Sequence, residues 1–154
     1  YQFVIAGAPS QDFEFYKTFI KNTNVKFIDN KTYDLLSVSY AALVTSGTAT
    51  LETALFKVPQ VVCYKAGNIS YQIAKRIITL KYISLVNLIM DKLVVSELIQ
   101  NELNIENLKK ELANIIDGEG RNKVLKDYDL LITKLGGEGA SKTTATHIVN
   151  YMNA

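Results

Sequence analysis

The first 65 residues alternate between short apolar runs and segments in which apolar residues recur every three or four positions. The apolar runs, each predicted to form a strand, are residues 2–6, 25–28, 41–45 and 60–64. The segments with helical spacing, each predicted to form a helix, are residues 12–20, 32–40 and 51–58. Because the strands are apolar on consecutive positions, we expect an α/β fold with a parallel sheet and helices on both faces.

The third of these helices is predicted to bury one stripe and to end at Pro59. That stripe consists of Leu51, Ala54, Leu55 and Val58. Such a stripe is typical of a helix that packs on a sheet.

The second half of the chain is predicted to be mainly helical. Residues 69–80 have the pattern of an amphipathic helix, whose apolar side would pack on the sheet or meet a membrane surface. Residues 84–88 are interpreted as a loop. Further predicted helices are residues 93–100, 105–116, 123–135 and 145–152. Glycines separate these helices, and Ser141 would cap the last one. We therefore expect one domain with a helical C-terminal extension.

Composition narrows the function classes. The 154 residues include 17 basic and 15 acidic side chains, and this balance gives no electrostatic reason to expect nucleic-acid binding. One Cys and one His do not supply the several ligands of a structural zinc site. The chain begins with Tyr1 in a predicted strand, so we expect a piece of a longer protein, with part of any catalytic site elsewhere.

The segment Ser46-Gly47-Thr48 carries the first candidate chemistry. It joins a predicted strand directly to a predicted helix, and ligands of parallel sheets bind beyond the carboxyl ends of the strands. A helix N-terminus offers unpaired N–H groups and partial positive charge to a phosphate, and a glycine lets the backbone approach closely. The segment therefore predicts a phosphate-binding turn.

Glu52 lies about one turn into the same helix, and helical side chains lean back toward the N-terminus. Its carboxylate would accept hydrogen bonds from a vicinal diol such as ribose. A structural interpretation stays open at this point, because Ser and Thr are good N-caps and the helix dipole alone favours an early Glu.

An ordered series of segments resembles the lipid-A-disaccharide synthase family. The segments are LVTSGTATLE (43–52), PQVVCYK (59–65), AKRII (74–78), YISLVNLI (82–89) and ELIQ (97–100). The resemblance implies an inverting glycosyltransferase of bacterial lipid A biosynthesis, which joins UDP-2,3-diacylglucosamine to 2,3-diacylglucosamine 1-phosphate and releases UDP. It also implies two Rossmann-like domains in the GT-B arrangement, with residues 1–154 as the C-terminal, UDP-sugar-binding domain.

The resemblance assigns roles residue by residue. Ser46, Gly47 and Thr48 would hold the diphosphate, Glu52 the ribose hydroxyls, and Asn87 would lie near the phosphate or the sugar. Tyr64 and Lys65 would line the uracil pocket. Glu97 and Gln100, three apart on a predicted helix, would serve the donor site or a domain contact, or else form a solvated polar face.

The resemblance places the general base in the N-terminal acceptor domain, so no catalytic residue is expected in this chain, and by itself the chain is expected to be inactive. No cofactor or metal is expected. The implied partners are both acylated glucosamine substrates, the N-terminal domain and a second copy in a homodimer. Residues 141–154 would cross back to the N-terminal domain. The protein would be cytoplasmic, with a peripheral contact with the inner membrane.

Two alternatives stay open. One is another GT-B enzyme that uses a UDP-sugar, such as the peptidoglycan N-acetylglucosamine transferase or a UDP-sugar epimerase. The other is a non-catalytic flavodoxin-like module, although such a module would need acidic residues at its strand ends, and the third strand of this chain ends in Thr45 and Ser46.

Overall fold

The computed structural model describes residues 1–8, 10–21, 23–67, 81–137 and 139–153. It divides into two compact units, Tyr1–Tyr40 and Ala41–Ala154. The amphipathic helix predicted at residues 69–80, with its packing and its membrane-surface interpretations, lies outside the described residues.

The first unit contains two strands and two helices, as predicted. In chain order they are β1 (Val4–Ala6), α1 (Phe13–Ile20), β2 (Lys26–Ile28) and α2 (Thr32–Val38). The strands β1 and β2 pair in parallel, with Ile5 opposite Phe27. The Asp12 side chain caps α1 by accepting a hydrogen bond from the Phe15 N–H at 3.0 Å.

Aromatic rings hold α1 against this two-stranded sheet. The Phe27 ring lies 5.1 Å from that of Phe13 and 5.0 Å from that of Tyr16, measured between ring centroids. Gly7 follows β1 where the Phe27 ring approaches the backbone, and a Cβ there would lie 2.6 Å from the ring. A larger residue at position 7 would therefore force the Phe27 ring to shift.

The second unit is a three-stranded parallel sheet flanked by helices, with strand order β3-β4-β5. Its elements are β3 (Ala42–Thr45), α3 (Thr48–Leu55), β4 (Gln60–Tyr64), α4 (Leu85–Met90), β5 (Ser96–Ile99), a 3₁₀ turn (Gln100–Glu102), α5 (Ile105–Ile116), α6 (Gly118–Leu135) and α7 (Ala140–Met152). The α/β class and the parallel pairing are confirmed, although the strands form one sheet in each unit where we expected a single sheet.

Two predictions between residues 84 and 100 are wrong. The predicted loop is the helix α4, because the Ser84 side chain caps it by accepting from the Asn87 N–H and Asp91 ends it in a left-handed conformation. The predicted helix at 93–100 is the strand β5. Its apolar residues fit both periods, and pairing with β4, which is distant in sequence, decides between them. Glu97 and Gln100 therefore share no helix face.

The buried stripe predicted for α3 is also wrong in part. The helix ends at Leu55, which is 46% exposed, and Val58 lies beyond it, after Lys57 with its positive φ of 56°. Thr50 and Thr53 are buried instead. Their hydroxyls donate to backbone carbonyls at 2.8 Å, which removes the cost of burying them.

The helices near the C-terminus begin earlier than predicted. α6 starts at Gly118, whose N–H donates to the Asp117 carboxylate, so Gly118, with its positive φ of 73°, lies at the boundary between α5 and α6 as predicted, whereas Gly120 lies inside α6. α7 starts at Ala140 with Gly139 at its N-cap, so the predicted cap by Ser141 is wrong. None of the described residues of α7 is buried. Within the parts of the chain that the structure describes, no helix combines the length and hydropathy of a membrane span.

Three successive residues of α6 bind the edge at which β4 and β5 begin. Asp127 forms an ion pair with Lys92 at 2.6 Å, and Asp129 forms one with Lys57 at 2.7 Å. Between them Tyr128 is fully buried. The exposed Lys57 pair contributes little to stability, so the burial of Tyr128 is the stronger attachment.

Tyr128 joins α6 to β4 and α3 through Gln60. The Gln60 Nε2 donates to the Tyr128 hydroxyl at 3.1 Å and to the Thr50 carbonyl at 2.8 Å. Burial raises the pKa of Tyr128 above its ordinary value of 10.0, although the hydrogen bond from Gln60 opposes that shift. The hydroxyl is therefore neutral in the folded protein over the physiological range.

We expect Tyr128→Phe to lower the free energy of unfolding at neutral pH by about 1 kcal/mol, because one buried hydrogen bond is lost without a change of shape. Urea denaturation measures this. Tyr151→Phe is the matched control, since Tyr151 is 87% exposed, and it should change stability by less than about 0.5 kcal/mol. Equal stability of the Tyr128 variant and the parent would contradict the expectation.

The parent and the Tyr128→Phe variant also test the raised pKa of Tyr128. In the unfolded chain this group ionises near pH 10.0, whereas in the folded chain it stays protonated to higher pH. Above that pH the unfolded state binds fewer protons, so stability falls as pH rises. The Phe variant has no ionisable hydroxyl at this position. The difference in stability between the parent and Tyr128→Phe should therefore shrink above pH 10 by up to about 1.4 kcal/mol per pH unit. Parallel stability curves would argue against the shift.

Candidate functional site

The carboxyl ends of β3, β4 and β5 lie at one edge of the second sheet, because the three strands are parallel and adjacent. Ligands of open parallel sheets bind at such an edge. The predicted site residues lie at this edge or in the helices that begin there, and they are Ser46, Gly47, Thr48, Glu52, Tyr64, Lys65, Asn87, Glu97 and Gln100. The structure therefore brings the predicted residues of three separate segments to one edge.

The N-terminus of α3 is open at this edge. Gly47 occupies its N-cap position, no side chain caps it, and Gly47, Thr48 and Ala49 are exposed. The N–H groups of a first helical turn lack partners within the helix and carry the positive end of its dipole. This turn is therefore suited to bind an anion.

Gly47 is required here by its backbone conformation. Its φ is 148° and its ψ is −163°, a region that is essentially restricted to glycine. A Cβ on Gly47 would meet no atom within 4 Å, so the requirement is conformational and not steric. The turn can leave β3 and enter α3 within three residues only because of this conformation.

Ser46 ties the turn to another segment. Its hydroxyl donates to the Ile83 carbonyl at 3.0 Å across 37 residues of sequence. The hydroxyl hydrogen is thus already engaged, whereas the Thr48 hydroxyl makes no hydrogen bond with the described residues. Contact between Ser46 and a diphosphate stays a prediction, and the observed bond gives Ser46 the role of fixing the turn.

Among the described residues, the Glu52 carboxylate has no partner. The residue is half-buried on α3, one turn from Thr48, and its side chain makes no hydrogen bond or ion pair with the residues that the structure describes. A half-buried carboxylate without a donor is unfavourable, and a diol would supply two donors. This arrangement agrees with the role expected from the sequence.

The N-terminus of α4 differs from that of α3, because side chains already occupy it. The Glu97 carboxylate on β5 accepts from the Ile83 N–H at 3.0 Å, the Ser84 N–H at 2.9 Å and the Asn87 Nδ2 at 2.8 Å. A phosphate at this terminus would meet the negative charge of Glu97. Of these two helices, only α3 offers a free terminus to an anion.

Asn87 lies inside the unit and is fully buried. Its Nδ2 donates to the Val95 carbonyl at 2.8 Å as well as to Glu97, and its Oδ1 accepts from the N–H groups of Val94 and Val95. All hydrogen-bonding capacity of the carboxamide is therefore in use. Its contact with a phosphate or sugar stays a prediction, and the observed bonds show it holding α4 against the start of β5.

Gln100 holds the segment that follows β4. Its Oε1 accepts from the Ala66 N–H at 2.8 Å, and its Nε2 donates to the Ala66 carbonyl at 3.1 Å. The carboxamide thereby joins the two segments beyond the last strand pair, Tyr64 and Ile99, one residue after Ile99 and two residues after Tyr64. Tyr64 is half-buried and Lys65 is exposed beside this attachment, so both lie at the edge predicted for the uracil pocket.

The backbone of Ile83, Ser84 and Ala66 belongs to the site, and sequence reasoning did not identify it. Backbone groups leave no side-chain signature, so no pattern in these residues indicated the contacts. The only signal was the acceptor-rich pair Glu97 and Gln100, which the helical interpretation of residues 93–100 placed on the wrong element.

Comparisons with known proteins agree with one another. The sequence model of the family described as lipid-A-disaccharide synthetase matches residues 6–149. The chain is similar to the lipid-A-disaccharide synthase of Syntrophus aciditrophicus (strain SB), with 40% identity over 79% of this chain and 32% of that relative. It is also similar to the enzymes of that name from Anaeromyxobacter sp. (strain K), with 31% identity over 98% of this chain and 40% of the relative, and from Hahella chejuensis (strain KCTC 2396), with 40% identity over 83% and 32%. The chain thus spans between 32% and 40% of the length of these relatives.

We expect Gly47→Ala to lower the free energy of unfolding by roughly 1–3 kcal/mol, because alanine is strained at this φ and ψ. Chemical denaturation measures the loss. Thr48→Ala is the matched control one residue later, at a helical position without a side-chain cap bond, and it should stay within about 0.5 kcal/mol of the parent. If the two variants are equally stable, the turn tolerates a side chain at residue 47.

Proposed function

The chain belongs to the lipid-A-disaccharide synthetase family, and on that premise we propose that it is the donor-binding half of an inverting glycosyltransferase. In the proposed reaction 2,3-diacylglucosamine 1-phosphate attacks UDP-2,3-diacylglucosamine. The glycosidic bond forms, UDP leaves, and the product is the disaccharide phosphate of lipid A.

One observation carries the assignment of the donor half. The open N-terminus of α3 and the carboxylate of Glu52, which has no partner among the described residues, lie on the same helix, one turn apart. They are the donor for a diphosphate and the acceptor for a ribose diol, in the order in which a nucleoside diphosphate presents these groups. A nucleotide sugar therefore matches this edge better than a simple anion does.

The chemistry proposed for this chain is the stabilisation of the leaving group. Negative charge develops on the diphosphate as the sugar–phosphate bond breaks, and fixed N–H donors at residues 47–49 would stabilise that charge without reorganising. Thr48 would add a hydroxyl donor. Glu52 would hold the ribose, and with it the donor sugar, in position for attack.

The acceptor site and the general base are proposed to lie in another domain of a longer protein. The chain spans only 32% of two relatives and 40% of a third, which agrees with a half-site. The proposal includes a reaction without a metal or cofactor, a cytoplasmic location with a peripheral membrane contact near the acylated substrates, and a homodimer. The named relatives lend no support to a peptidoglycan N-acetylglucosamine transferase, a UDP-sugar epimerase or a flavodoxin-like module.

Calorimetric titration with UDP, and with ADP as the control, tests the donor site. We expect saturable binding that is selective for UDP, and no glycosyl transfer by this chain alone. The same titration on a longer protein that contains this chain tests whether UDP binding requires both domains. Failure of UDP to bind either protein, or equal binding of ADP, would contradict the proposal.

We expect Glu52→Gln to weaken UDP binding by about 1–3 kcal/mol, the range for hydrogen bonds that involve a charged group. Glu106→Gln removes the same charge from an exposed position on α5 and should leave affinity unchanged. The Glu52→Gln substitution should not change the affinity for a UDP analogue whose ribose is replaced by the 2′,3′-dideoxy sugar, because that sugar has no diol for Glu52 to bind. Equal affinity of the Glu52 variant and the parent would remove Glu52 from the site.

A further inference from the structure

A continuous series of hydrogen bonds joins β5 to the turn at residues 46–48. The Glu97 Oε1 accepts from the Ser84 N–H at 2.9 Å. The Ile83 carbonyl, which belongs to the same peptide unit as that N–H, accepts from the Ser46 hydroxyl at 3.0 Å. Because a peptide unit is planar and stiff, Glu97 and Ser46 are held at opposite ends of one rigid group.

The second oxygen of Glu97 fixes the neighbouring peptide. Its Oε2 accepts from the Ile83 N–H at 3.0 Å, so both backbone groups of Ile83 are engaged, one by Glu97 and one by Ser46. Hydrogen bonds at both ends of a peptide polarise it and strengthen each other. A change at Glu97 therefore reaches Ser46 through a single residue.

Glu97 must accept at both oxygens. All three of its partners are donors, namely two backbone N–H groups and the Asn87 Nδ2, and it forms no ion pair among the described residues. A glutamine at this position would turn its own N–H₂ toward one of these donors in either orientation. Glu97→Gln therefore releases part of the segment without changing the size of the side chain.

We propose that Glu97 is a positioning residue for the nucleotide, acting through residues 83–84 and Ser46 on the turn 46–48 without touching the ligand. The inference rests on the proposed function, since it takes the turn as the diphosphate site. It differs from the direct donor-site role expected from the sequence, because the carboxylate is engaged by protein donors.

The experiment uses the longer protein with UDP and both acylated substrates. We expect Glu97→Gln to raise the Kd for UDP and the KM for the donor by about tenfold, the effect of losing one charge-assisted hydrogen bond. The KM for the acceptor should stay within about twofold. A purely structural role would reduce the amount of active enzyme, lowering the apparent kcat while both KM values stay unchanged.

Two further variants test whether the effect of Glu97 on UDP binding passes through Ser46. Ser46→Ala should weaken UDP binding, and the double variant Glu97→Gln/Ser46→Ala should bind UDP no more weakly than the weaker single variant, because both break the same series. Glu106→Gln is again the control for charge. If Glu97→Gln does not fold, Ser46→Ala alone still tests the series, since amide hydrogen exchange at Ile83 and Ser84 should then accelerate.

The outcomes separate the inference from the proposed function. Unchanged UDP affinity in Glu97→Gln, fully additive effects with Ser46→Ala, or unchanged exchange at residues 83–84 would overturn the positioning role while the parent still binds UDP. A parent protein that does not bind UDP would overturn the proposed function, and the inference with it.

Discussion

Parallel pairing of three adjacent strands is the constraint on which the candidate site depends. With β4 paired on both sides, the chain must leave every strand of this sheet at the same edge. Residues from the segments after β3, β4 and β5 therefore meet, although up to 54 residues of sequence separate Ser46 from Gln100. No local interaction could bring them together.

Side chains from β5 then set the loops in place. Glu97 binds the segment before α4, and Gln100 binds the segment after β4, each through two hydrogen bonds to the backbone. Loops that are fixed in this way lose less conformational entropy when a ligand binds. The side chains of Glu97 and Gln100 thus bind backbone groups, whereas the N-terminus of α3 and the Glu52 carboxylate have no side-chain partner among the described residues.

The sequence predicts most of the elements but not all of the contacts. The strands β3 and β4 and the helix α5 follow from local periodicity, because their burial is decided by their own residues. β5 could not be predicted locally, since Val94, Val95 and Leu98 fit a helix as well, and only the distant partner β4 selects the strand. The hydrogen bonds of the Asn87 carboxamide to the backbone of Val94 and Val95 could not be predicted either, because backbone groups leave no pattern in the sequence.

The two edges of the second sheet carry different tasks. Tyr128 and its neighbours on α6 secure the edge where β4 and β5 begin, and the candidate site occupies the edge where they end. Substitutions at the first edge would change how much folded protein a cell maintains, whereas at the second edge this holds for Gly47, which fixes the turn, and not for the exposed Thr48. Exposed positions at the second edge can therefore vary during evolution without a loss of folded protein, and stabilising changes around α6 would offset destabilising substitutions at residues such as Gly47.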